Sequence, residues 1–82
     1  MQKKYNINFD IPENYPFDLF EETLINEYNS DGIPAFEVKM TKEGFYFCDN
    51  CWSIKSSIAL RNTIDLALVD SKKVEVSLIY KS

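Results

Sequence analysis

The chain predicts a small α+β domain, one antiparallel sheet with two helices on one face, in the order strand, helix, strand, strand, helix, strand. Three observations lead there. Tyr5, Ile7 and Phe9, and later Phe36, Val38 and Met40, alternate with polar or charged residues, the period of a strand with one buried face. Phe17, Phe20, Leu24 and Tyr28 recur at helical spacing, with Ile25 beside the same stripe. Thr41-Lys42-Glu43-Gly44 separates two apolar runs by the short turn of a hairpin.

The first strand ends in Ile11-Pro12-Glu13-Asn14-Tyr15, because proline cannot donate to a ladder. Pro16 suits the first turn of a helix, where its missing N–H costs nothing. Asp18, Glu21 and Glu22 then fall near the positive end of that helix dipole. Asn29-Ser30-Asp31-Gly32 stops the helix, with Gly32 free to adopt the left-handed conformation that ends one. Phe36 to Met40 forms the second strand and Phe45 to Cys48 the third, the latter apolar on both faces. Ser53, Ser56 or Ser57 caps a second helix running to about Leu68, with Ile54, Ile58, Ile64 and Leu68 on its buried side. Asp70-Ser71-Lys72 turns the chain into a last strand through Val74, Val76, Leu78 and Tyr80. Two strand–helix–strand units on one sheet correspond to the ferredoxin-like split arrangement. The sequence leaves the strand order open.

With 82 residues the chain is expected to form a single domain over 1–82, with a small core. Its 45% apolar content and its six Phe, five Tyr and one Trp are values of a folded protein. The opening Met1-Gln2-Lys3-Lys4-Tyr5-Asn6 has no apolar leader core, and no eighteen-residue apolar run occurs. Two cysteines three apart do not make the framework of a secreted disulfide protein. Cytoplasmic residence is therefore expected.

Charge is distributed unevenly. Asp10, Glu13, Asp18, Glu21, Glu22, Glu27, Asp31 and Glu37 lie in a stretch without Lys or Arg, whereas the rest of the chain has nine basic residues against five acids. The net charge of -4 thus hides a strongly acidic segment and a basic remainder. Such a field steers a basic partner and repels phosphate backbones and anionic lipid, so neither nucleic acid nor membrane is expected as a direct partner. On one helix, residues 18, 21 and 22 share a face. Like charges at that spacing destabilise the helix slightly, a cost that invites a functional explanation.

Chemistry other than binding finds little support. Without histidine, Ser-His and Cys-His nucleophiles are excluded, and two glycines do not make a phosphate-cradling loop. No enzyme activity and no cofactor are expected. Cys48-Asp49-Asn50-Cys51 resembles the redox motif of thioredoxin-like proteins over four residues, but the last proline, Pro34, precedes it and the preceding hairpin does not fit that topology. Zinc needs four ligands, so Cys48 and Cys51 supply half a thiolate site, which two chains could share or to which Asp49 could contribute an oxygen. Gly44-Phe45-Tyr46-Phe47-Cys48 resembles part of the third-strand signature of RNA-recognition motifs, which implies Phe45 and Phe47 as base-stacking residues. Glu43 stands where that signature carries Arg or Lys, and the chain is acidic.

The expected function is that of a small acidic protein-binding inhibitor occupying a basic, nucleic-acid-binding surface of a partner protein. Asp18, Glu21, Glu22 and Glu27 supply charge and encounter rate, and Tyr15 and Tyr28 supply contact area. In size and charge the chain resembles small acidic inhibitors of host-defence nucleases from phages and mobile elements, anti-CRISPR proteins among them, and immunity proteins against basic nuclease toxins. That resemblance implies a nuclease or other nucleic-acid-binding protein as partner, with carboxylates standing where phosphates would. The competing classes are a homodimeric structural or assembly protein, joined near Tyr46, Cys48 and Ile79, and a zinc or redox module built on Cys48 and Cys51.

Overall fold

A computed structural model of the protein describes residues 2–18 and 24–79. Four strands, β1 (Lys3–Asn8), β2 (Phe36–Met40), β3 (Gly44–Asp49) and β4 (Glu75–Ile79), form one sheet in the order β2-β3-β1-β4. Every neighbouring pair is antiparallel. One helix, α1 (Lys55–Asp70), connects β3 to β4. The register places Ile7 opposite Phe45 and Val76, Tyr5 opposite Phe47 and Leu78, and Val38 opposite Phe47. These side chains therefore share one face of the sheet, and Lys4, Asn6, Glu37, Lys39, Tyr46, Cys48 and Ser77 share the other.

The core lies on the first face. Ile7, Phe9, Ala35, Phe36, Phe45 and Phe47 are buried there together with Ala59 and Ala67 of α1. Phe36 stacks on Phe47 with centroids 5.4 Å apart, and Phe9, Tyr15 and Phe17 gather around Phe45 at 5.1, 6.0 and 5.9 Å. Gly44 opens β3 where the hairpin meets β1. Its φ is 152°, and a Cβ would collide with the Ile7 carbonyl, so only glycine lets the two strands approach here. Thr41 N–H donates to the Gly44 carbonyl at 2.8 Å and closes the turn.

The helix turns a different face inward from the one its large residues predict. Ser56, Ala59, Thr63 and Ala67 are buried, whereas Ile54, Ile58 and Leu68 are exposed and Ile64 is half-buried. The rings of β2 and β3 already fill the layer between sheet and helix, so the stripe of small residues is the one that fits. The two buried hydroxyls remain satisfied: Thr63 Oγ1 donates to the Ala59 carbonyl and Ser56 Oγ to the Ser53 carbonyl, both at 2.7 Å. The helix also runs against its dipole, with Lys55 in its first turn and Asp70 in its last.

The two-helix, strand–helix–strand–strand–helix–strand arrangement is overturned: α1 is the one helix formed by the described residues, with only Phe17 and Asp18 of the first crossover in helical conformation. The core of the other expected helix, residues 19–23, lies outside the described residues. Its expected continuation through Leu24 and Tyr28 is not helical. Instead, the Glu27 carbonyl accepts the Ala35 N–H at 2.8 Å and Tyr28 bridges Pro34. Asn26 causes the departure. Its Oδ1 accepts the N–H groups of Glu27 and Ala35 at 2.8 and 3.1 Å, while its Nδ2 donates to the Phe36 carbonyl at 2.9 Å. A side chain that satisfies three backbone groups competes directly with a helical ladder. Asn29 repeats the device, its Oδ1 accepting the N–H groups of Asp31 and Ile33.

Candidate functional site

The residues expected to carry the function lie in the first crossover, from β1 to β2. Asp10, Glu13, Asp18 and Asp31 are exposed there, as is Glu37 in β2. Glu27 is half-buried, and its Oε1 accepts the Ser53 hydroxyl at 2.8 Å, which ties the crossover to the start of α1. Glu21 and Glu22 lie outside the described residues. Ion pairs among the described residues join Arg61 to Asp65 at 3.8 Å and Lys73 to Glu75 at 3.3 Å, both outside the acidic stretch.

The two tyrosines have separate roles. Tyr15 packs its ring against Phe9 and Phe45. Burial, followed by the charge of Asp70 and a hydrogen bond to it, raises the Tyr15 pKa above the ordinary tyrosine value. Tyr15 therefore fastens the crossover to the core and to the C-terminal end of α1. Tyr28, 66% exposed, remains free to contact another molecule. It lines an open cleft of about 370 Å³ with Leu24, Asn26, Pro34, Phe36 and Val38 along β2. Sequence periodicity missed this cleft because it treated residues 24–28 as helix. The asparagines at 26 and 29 were the signal for the fold-back that forms it.

The turn carrying the cysteines is well anchored. Cys48, at the end of β3, is buried on the sheet face opposite Phe47, and Cys51 is exposed. Both thiols are free. Burial, then Glu37, raises the Cys48 pKa, with Lys4 opposing. Cys51 has φ 63°, and its N–H donates to Asp49 Oδ1 at 2.7 Å. Asn50 Nδ2 and Trp52 Nε1 both donate to the Pro34 carbonyl, at 2.7 and 3.0 Å. The turn thereby locks the end of the first crossover in place. Among the described residues, no three side chains of metal-binding type come together.

Phe45 and Phe47 are fully buried, so neither is available to stack on a base as the RNA-recognition resemblance implied. Tyr46 is the aromatic that β3 turns toward the other face. Among the described residues, no helix is long and apolar enough to cross a membrane. Comparison of the chain with known protein families, curated proteins and solved structures found no match.

Proposed function

We propose that the chain is a small protein-binding module whose acidic first crossover engages a basic surface of a partner protein. The observation that carries this reading is the state of the carboxylates. Asp10, Glu13, Asp18, Asp31 and Glu37 are exposed, and no ion pair among the described residues involves them. Unneutralised exposed charge of one sign accelerates encounter with a charge of the other. Tyr28, exposed beside the cleft along β2, adds an aromatic contact.

The specific form of the proposal is an inhibitor of a nuclease or other nucleic-acid-binding protein, acting in the cytoplasm, with carboxylates replacing phosphates in the partner's groove. It needs no cofactor and binds neither nucleic acid nor membrane itself. The test is a pull-down from lysate of the source organism with wild type and with Asp10→Lys, Glu13→Lys and Asp18→Lys combined, the variant first checked for an unchanged circular dichroism spectrum. Capture of a basic nucleic-acid-binding protein by wild type alone, with an on-rate that falls steeply as salt shortens screening to about 8–10 Å, is the expected result. Equal capture by both forms overturns the proposed surface.

A further inference from the structure

The sheet has two edges, β2 and β4, and the chain treats them differently. At β2 the Phe36 carbonyl already accepts the Asn26 amide, and the residue just before the strand, Ala35, donates to the Glu27 carbonyl. Glu37 and Lys39 add alternating charge along that edge. Such features keep an edge from recruiting another strand. At β4 the only charge is Glu75, at the start of the strand. Glu75 to Ile79 contains no Lys, Arg or Pro, and four of its five residues are exposed. Val76 and Leu78, at 44% and 37% exposure, stand on the face that elsewhere forms the core. Among the described residues, nothing pairs with the outer edge of β4.

We propose that this edge pairs with the same edge of a second copy, antiparallel about Ser77, so that two four-stranded sheets become one. The strand pattern identifies the occupant. Pairing centred on Ser77 uses all five residues and sets Val76 against Leu78 of the second copy twice, once in each half. Glu75 falls opposite Ile79 of the second copy, so no like charges face each other. A two-fold interface requires this self-complementarity. The basic partner proposed above has no comparable reason to choose β4, whose only carboxylate, Glu75, is already held by Lys73. Joining the sheets also brings four exposed apolar side chains into one strip. Five residue pairs make an interface below about 1,200 Å², so the dimer is weak and depends on concentration.

The test uses purified wild-type protein alone, and its outcome is independent of the acidic surface. Hydrogen exchange is followed at about 5 and about 500 µM, together with sedimentation equilibrium, because self-association responds to concentration by mass action. The expected result is a monomer–dimer equilibrium in which those amides of residues 75–79 that face away from β1 exchange at least about tenfold more slowly at the higher concentration. Val76→Lys combined with Leu78→Lys is expected to abolish both effects. A monomer at both concentrations overturns the proposal. So does slowing confined to β2, or a dimer that persists in the folded double variant. If the double variant fails to fold, the wild-type exchange pattern still decides.

Discussion

The chain crosses from β1 to β2 and from β3 to β4, and the two crossovers are held by different kinds of bond. The second is α1, whose hydrogen bonds are internal to the backbone and whose small-residue stripe rests on the aromatic sheet. The first, where described, has a few backbone bonds, such as Ala35 N–H to the Glu27 carbonyl, and depends besides on side chains: Asn26 and Asn29 for its own turn, Glu27 and Ser53 to reach α1, Asn50 and Trp52 to hold Pro34. Aromatic rings at Phe9, Tyr15 and Phe17 anchor its beginning against Phe45. A helix tolerates substitution along its outer face, because each residue there contributes little beyond propensity. A segment held by a few polar side chains concentrates its stability in those residues.

The largest test of that contrast is Asn26→Ala. It removes three hydrogen bonds, one of them to the carbonyl of buried Phe36, while the Ala35 N–H keeps the Glu27 carbonyl, for an expected loss of about 2–4 kcal/mol in urea unfolding. Were residues 24–28 helical, the same change would stabilise the protein slightly through helix propensity, so a rise in midpoint would break the comparison. Next in size is Ala67→Leu. It forces a larger side chain into a fully buried position between α1 and the sheet, at an expected cost of about 1–3 kcal/mol. No loss would mean that α1 sits farther from the rings than its small residues imply.

The smallest expected effect is a pH dependence that joins the two crossovers through Tyr15 and Asp70. Tyr15, Tyr46 and Cys48 all hold their protons more tightly when folded than an ordinary tyrosine or thiol, burial being the first cause in each case. A raised folded pKa gives stability that is complete below the unfolded value and is lost as pH rises through the folded one. The urea midpoint should therefore hold steady through neutral pH and decline above about pH 9–10, where ordinary thiols and tyrosines ionise. In Tyr15→Phe the decline should be shallower. An identical alkaline profile would remove Tyr15 from the account.

These differences also explain what the sequence could reveal. The strands near residues 5–9, 36–40, 45–48 and 74–80 announce themselves by alternation or apolar runs, and they occur at Lys3–Asn8, Phe36–Met40, Gly44–Asp49 and Glu75–Ile79. The helix after Trp52 is legible as well, but its buried face is not. Ile54, Ile58 and Leu68 outweigh Ser56, Ala59, Thr63 and Ala67 on any hydrophobic scale, and the choice between stripes depends on rings contributed by distant strands. The first crossover misled for a different reason. Leu24 and Tyr28 continue a helical spacing from Phe17 and Phe20, while the asparagine that diverts the backbone has no period to betray it. The uneven charge was legible from composition, and exposure of Asp10, Glu13, Asp18, Asp31 and Glu37 agrees with it. Of the expected site, Glu27 and Tyr28 lie outside any helix and Tyr15 packs against the core, while Glu21 and Glu22 lie outside the described residues.

The bond from Trp52 Nε1 to the Pro34 carbonyl has a practical consequence. Trp52 is the sole indole in the chain, and it touches the first crossover from the turn that leads into α1. Its fluorescence is therefore an intrinsic gauge of whether that crossover is seated, whereas far-ultraviolet circular dichroism chiefly follows the helix. A partner that lifts the acidic segment away would shift the emission and leave the ellipticity in place. The protein thus distinguishes a local opening from a global one without an added label.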